Sequence, residues 1–124
     1  MKNKKGFTLV ELLAVIVILA VILAVAVPVV LGVINKSRED ALNSTAGMIA
    51  AGIKNEYMID QMEHGGADYN LSGPCPQTAA AYSTDDISCT YTIVPATGLV
   101  TVDATSVSGG KYWTGSAVTK TVTR

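Results

Sequence analysis

Sixteen consecutive residues, 12–27, carry no polar side chain, and a single carboxylate, Glu11, stands directly before them. Past Pro28 the apolar run continues to Ile34, interrupted only by Gly32. A run of this length crosses a bilayer as a helix. Lys2, Lys4 and Lys5 precede it without a neighbouring acid, whereas Lys36 and Arg38 after it are offset by Glu39 and Asp40. That asymmetry keeps the N-terminus in the cytoplasm and places the remainder outside. Three organisations fit the pattern. The first is a secretory signal peptide cut after Ala24-Val25-Ala26, with the mature chain starting at Val27. The second is a plain single-span anchor, and the third is an anchored precursor trimmed at its N-terminus. Glu11 discriminates, because a carboxylate at mid-bilayer costs about 2.5–3.5 kcal/mol, less near the interface. Neither a signal peptide nor a plain anchor has a use for it.

The stretch Lys5-Gly6-Phe7-Thr8-Leu9-Val10-Glu11-Leu12-Leu13 strongly resembles the processing motif of prepilins, the precursors of type IV pilins and pseudopilins. The likeness runs from Lys5 to about Pro28, roughly the first quarter of the chain. It implies a leader over residues 1–6 and a cut between Gly6 and Phe7 by a prepilin peptidase, which then methylates the amine of Phe7. It also implies a filament-core helix over residues 7–34. The physics of charge agrees with this. The cut creates a positive amine on Phe7, one helical turn before Glu11. In a helical filament the amine of one subunit neutralises Glu11 of its neighbour and relieves an unpaired charge in an apolar core. The competing reading leaves Glu11 at the lipid interface, paired with its own Phe7 amine or with the helix N-terminus. Pro28 removes a helical hydrogen bond and Gly32 adds freedom, so a kink is expected there. The resemblance further implies local loss of helix near this proline on packing into a filament. Ala14, Ala20, Ala24 and Ala26 allow close approach of neighbouring helices.

Residues 35–124 form the extracytoplasmic part. Leu42, Ala46, Ile49, Ile53 and Tyr57 recur at helical spacing, an amphipathic stripe that extends the helix to about residue 63. His64-Gly65-Gly66 ends it with glycine available for a left-handed cap. Residues 64–86 read as a loop rich in Gly, Pro, Ser and Asp. Alternation over 87–93, a turn at 95–98 and a strand over 99–104 follow. A last strand pair around 111–114 and 117–123 closes an antiparallel sheet over 87–124. The expected class is α+β, with one long helix packed on a small antiparallel sheet in the manner of pilins. So small a core needs reinforcement. Cys75 and Cys89 are the only cysteines and suit one disulfide in an oxidising compartment, the alternative being two buried thiols. Many pilins place their disulfide nearer the C-terminus, so the outer region resembles theirs less.

Composition excludes more than it assigns. The chain has 124 residues and a formal net charge of −1. Without the leader, six basic side chains face ten acidic ones, and no clustered basic face marks a nucleic-acid binder. No catalytic set is present. His64 is the sole histidine and reads as a solvated helix-end residue. Together with the two cysteines its spacing does not make a zinc site, so neither a metal nor a cofactor is expected. Asp85-Asp86 reads as turn chemistry. Tyr112-Trp113 reads as core or sheet packing, with an adhesive surface patch as the alternative. Asn43-Ser44-Thr45 and Asn70-Leu71-Ser72 match the glycosylation pattern and are assigned no role. The expected function is therefore structural rather than enzymatic: a subunit of a type IV pilus-like filament. It would be membrane-inserted before assembly and at the cell surface afterwards, with copies of itself, the prepilin peptidase and a pilus assembly machinery as partners. Alternatives are a pseudopilin of a type II secretion or competence DNA-uptake system, or a non-assembling membrane-anchored binding module.

Overall fold

The protein is described by a computed structural model over Gly6 and residues 8–124. Lys2, Lys4, Lys5 and Phe7 lie outside the described residues. The elements are α1 (Leu9–His64), β1 (Ser72–Pro74), β2 (Ile87–Val94), β3 (Leu99–Ser106) and β4 (Thr119–Thr123). The class is α+β, a long helix packed on a four-stranded antiparallel sheet of order β1-β2-β3-β4. The chain divides into two compact units, Met1–Ile34 and Asn35–Arg124.

The first unit is helix alone. Every large apolar side chain from Leu9 to Ile34 is exposed, from 85% at Leu9 to 40% at Ile34. The helix runs on through Pro28 and Gly32. Pro28 has no N–H, so one rung of the helical ladder is missing there.

The second unit has a closed core. The stripe Leu42, Ala46, Ile49, Ile53 and Tyr57 is buried, joined by Ala50 one turn beyond Ala46. It meets the inward faces of β2 (Ile87, Cys89, Tyr91, Ile93) and β3 (Val100, Val102, Ala104). Both strands alternate buried and open positions along their length, as period-two packing requires. β2 and β3 pair in register from Ile87↔Ser106 to Val94↔Leu99. Gly52 lets the chain after β1 lie against the helix: a Cβ there would fall 1.9 Å from the Ala79 carbonyl oxygen. The Cys75–Cys89 disulfide joins that segment to β2, and Cys75 N–H donates to the Cys89 carbonyl beside it. Tyr69 donates to Glu56 Oε2 at 2.8 Å and stacks edge-on with Tyr57. Burial, followed by the bond to Glu56, pushes the Tyr69 hydroxyl above its ordinary pKa. Burial does the same to Tyr82 and Tyr91.

Two local expectations are corrected. The loop expected over 64–86 contains β1, paired as Ser72↔Thr92, Gly73↔Tyr91 and Pro74↔Thr90. Gly and Pro disfavour a strand locally, but the open edge of β2 accepts one. The strand expected over 111–114 is a turn. Gly110 N–H and Trp113 N–H bond to the carbonyls of Val107 and Gly110, and Lys111 N–H donates to Asp86 Oδ1 at 2.8 Å. Tyr112 is buried and its hydroxyl meets Thr45 Oγ1 at 3.0 Å. These backbone groups are satisfied without a ladder, and β4 occupies the β3 edge instead, from Thr101↔Thr123 to Thr105↔Thr119.

Candidate processing and assembly site

The start of α1 is a reciprocal pair. Thr8 N–H donates to Glu11 Oε2 at 3.3 Å, and Glu11 N–H donates to Thr8 Oγ1 at 3.1 Å. This is the capping box, in which a hydroxyl and a carboxylate three residues apart satisfy two backbone donors that have no helical partner. Thr8 is thus the N-cap, and its carbonyl receives Leu12 N–H at 3.1 Å. The Thr-x-x-Glu spacing carries this signal in the sequence, although the carboxylate's burial cost draws the eye first. The box turns the Glu11 carboxylate back toward the chain start, at the positive end of the helix.

Glu11 is the one ionisable side chain between Gly6 and Asn35. Its Oε1 takes no part in the box. An acceptor therefore remains for a second donor arriving from outside the helix. Gly6 lies in irregular, exposed backbone before the cap, and a Cβ built on it meets nothing within 4 Å. Phe7, the expected site of methylation, lies outside the described residues. Pro28 and Gly32 sit within α1, and nothing lies within 4 Å of a Cβ at Gly32.

The remaining residues singled out by the sequence are in the second unit. Cys75 and Cys89 are bonded, with Cα atoms 5.4 Å apart. His64 is the last residue of α1. Beyond it Gly65 and Gly66 adopt φ of 69° and 77°, and their N–H groups bond to the carbonyls of Gln61 and Asp60. This reversal brings Asp68 back to Asp60 and His64, a grouping that residue spacing does not announce. Trp113 is half-buried, and its carbonyl accepts a bond from Arg38.

The geometry at the helix start agrees with an independent comparison. Residues 1–27 match the family model for the prokaryotic N-terminal methylation motif, the signature of type IV pilins. No curated protein and no solved structure matches the chain. The motif supports a pilin- or pseudopilin-like structural subunit, and the apolar helix that follows is consistent with membrane anchoring.

Proposed function

We propose that the chain is the structural subunit of a type IV pilus-like surface filament. A prepilin peptidase cuts it between Gly6 and Phe7 and methylates the new amine, and it then assembles through α1. One observation carries this reading. The helix from Leu9 to Ile34 buries none of its large apolar side chains, yet it begins with a capped carboxylate. An apolar surface this large requires another phase, first lipid and then neighbouring copies of the same helix. Leu9 to Ile34 gives roughly 39 Å of helix at 1.5 Å per residue, enough to cross the hydrocarbon layer with some tilt.

The carboxylate specifies which phase is final. In lipid it gains nothing beyond its own cap. Among packed helices its free oxygen accepts the N-methylammonium of Phe7 from the adjacent subunit, which fixes the stagger of one helix against the next. Pro28 and Gly32 supply the place where the helix adjusts as it packs. Residues 35–124 form the outer layer, held by their own core and by the Cys75–Cys89 bond.

Intact-mass analysis of protein sheared from cells tests the processing step. The expected product begins at Phe7 with one added methyl group. A mature chain beginning at Val27, or one retaining Met1, overturns the assignment. Electron microscopy of cells with and without the chain separates a filament subunit from a monomeric anchor, since only the former leaves cells without the filament.

A further inference from the structure

We infer that Asp60, His64 and Asp68 form a binding site for a divalent transition metal, zinc in the first instance, at the C-terminal end of α1. Asp60 and His64 lie one turn apart on the helix, and His64 Nδ1 is 3.3 Å from Asp60 Oδ1. Asp68 lies past the glycine reversal, its Oδ2 3.9 Å from the same nitrogen. One ligand atom from each residue falls within 4.8 Å of the other two. Ligands placed tetrahedrally around zinc at 2.0–2.1 Å stand about 3.3 Å apart. The Asp60–His64 edge already has that length, the His64–Asp68 edge closes by about half an ångström, and the Asp60–Asp68 edge lies within 4.8 Å.

The surroundings favour a cation of higher charge than one imidazolium. Two carboxylates converge on the site at the negative end of the helix dipole. Asp60 is the best buried of the three, with a side chain only 13% exposed. Its second oxygen, Oδ2, is fully buried and takes no hydrogen bond among the described residues. A buried carboxylate oxygen without a partner is rare and destabilising, and bidentate ligation by Asp60 removes the defect, whereas a protonated His64 paired with Oδ1 leaves it in place. Imidazole and carboxylates together suit zinc and its first-row neighbours rather than calcium. With Asp60 bidentate, the three residues supply four donor atoms, and a water adds a fifth. Loaded with metal, the site ties the segment before β1 to the end of α1.

The test uses the untagged full-length chain in detergent micelles, stripped with chelator and titrated with zinc chloride in a calorimeter. One zinc per chain is expected, with His64→Gln and Asp68→Asn each weakening binding at least tenfold. Both side chains are more than half exposed, so both variants retain the fold, which circular dichroism checks. Because His64 is the sole histidine, its imidazole ¹⁵N signals report directly, and Nδ1 should shift on zinc addition. Absence of saturable one-to-one binding overturns the inference. So does an unshifted Nδ1, or unchanged affinity in His64→Gln. In any of these cases the cluster is a set of local contacts between His64 and two carboxylates that holds no metal. None of these readouts depends on filament formation, so the result stands apart from the proposed function.

Discussion

Replacing Glu11 with Gln separates the two tasks that the carboxylate is given. In the structure it caps its own helix through Thr8; in the proposed filament it neutralises the Phe7 amine of a neighbour. A glutamine amide oxygen accepts the same bond from Thr8 N–H, so the cap survives, but the charge is gone. The complementary variant, Thr8→Val, removes the hydroxyl acceptor and keeps the charge. Loss of a cap costs about 1 kcal/mol, near fivefold in an equilibrium. An amine left unpaired in an apolar core costs about 3–5 kcal/mol, at least a hundredfold in subunit affinity. Glu11→Gln should therefore leave normal amounts of mature protein in the membrane and almost no filament. Thr8→Val should assemble within a few-fold of the parent. The assay is the ratio of sheared filament to membrane-bound subunit in the same cells, with intact mass confirming the Phe7 terminus. Parental filament yield from Glu11→Gln refutes the ion pair. Equal loss in both variants would show that assembly needs the cap as well as the charge.

The second unit yields three further expectations, each followed through the single tryptophan, Trp113. Cys89→Ser opens a loop closed across a sequence separation of 14 and should lower stability by about 3 kcal/mol; an unchanged denaturation midpoint contradicts it. Gly52→Ala drives a methyl group into the Ala79 carbonyl, a backbone atom that yields only if its segment moves, so a loss of about 1–3 kcal/mol is expected despite alanine's better helix propensity. A melting temperature at or above the parent's would show that the segment shifts freely. Alkaline pH should also weaken this unit. Burial raises the pKa of Tyr69, Tyr82 and Tyr91, so the folded state holds their protons more tightly than the unfolded chain does. Their contribution is complete below the unfolded value of about 10 and declines as pH climbs from there toward the folded values. Denaturant midpoints that stay level through pH 11 would count against it.

Much of this fold was legible because its strongest patterns are periodic. The helical stripe from Leu42 to Tyr57 and the alternation from Ile87 to Ile93 each repeat a buried position often enough to fix a face, and all of those positions are buried. What stayed hidden depends on partners distant in sequence. Ser72-Gly73-Pro74 has no strand propensity of its own and becomes β1 only because β2 presents an open edge. Tyr112-Trp113 looks like a strand by residue type, yet β4 takes the edge it would need and Tyr112 turns inward to Thr45. The Asp60–His64–Asp68 grouping was illegible for the same reason. Two members share a helix face, but the third arrives through the reversal at Gly65 and Gly66. At the helix start the signal was local but overlooked: the Thr8-x-x-Glu11 spacing carries the box, whereas Glu11 read from the sequence only as a charge in need of a partner.

The two units also differ in what completes them. Among the described residues, all the buried apolar ones lie at or beyond Leu42, and they close on one another through helix, sheet and disulfide. Residues 9–34 contribute nothing to that core. A substitution at Cys89 or Gly52 therefore changes the free energy of a unit with its own core, and does so in a monomer as in an assembly. Glu11 belongs to the first unit, and under the proposed function the large effect of its substitution depends on a second copy supplying the amine. Stability measured on the isolated chain should thus be insensitive to the change that most impairs filament formation. Membrane-bound pools and filament yields must accordingly be read together, since either one alone confuses a damaged second unit with an uncompensated charge.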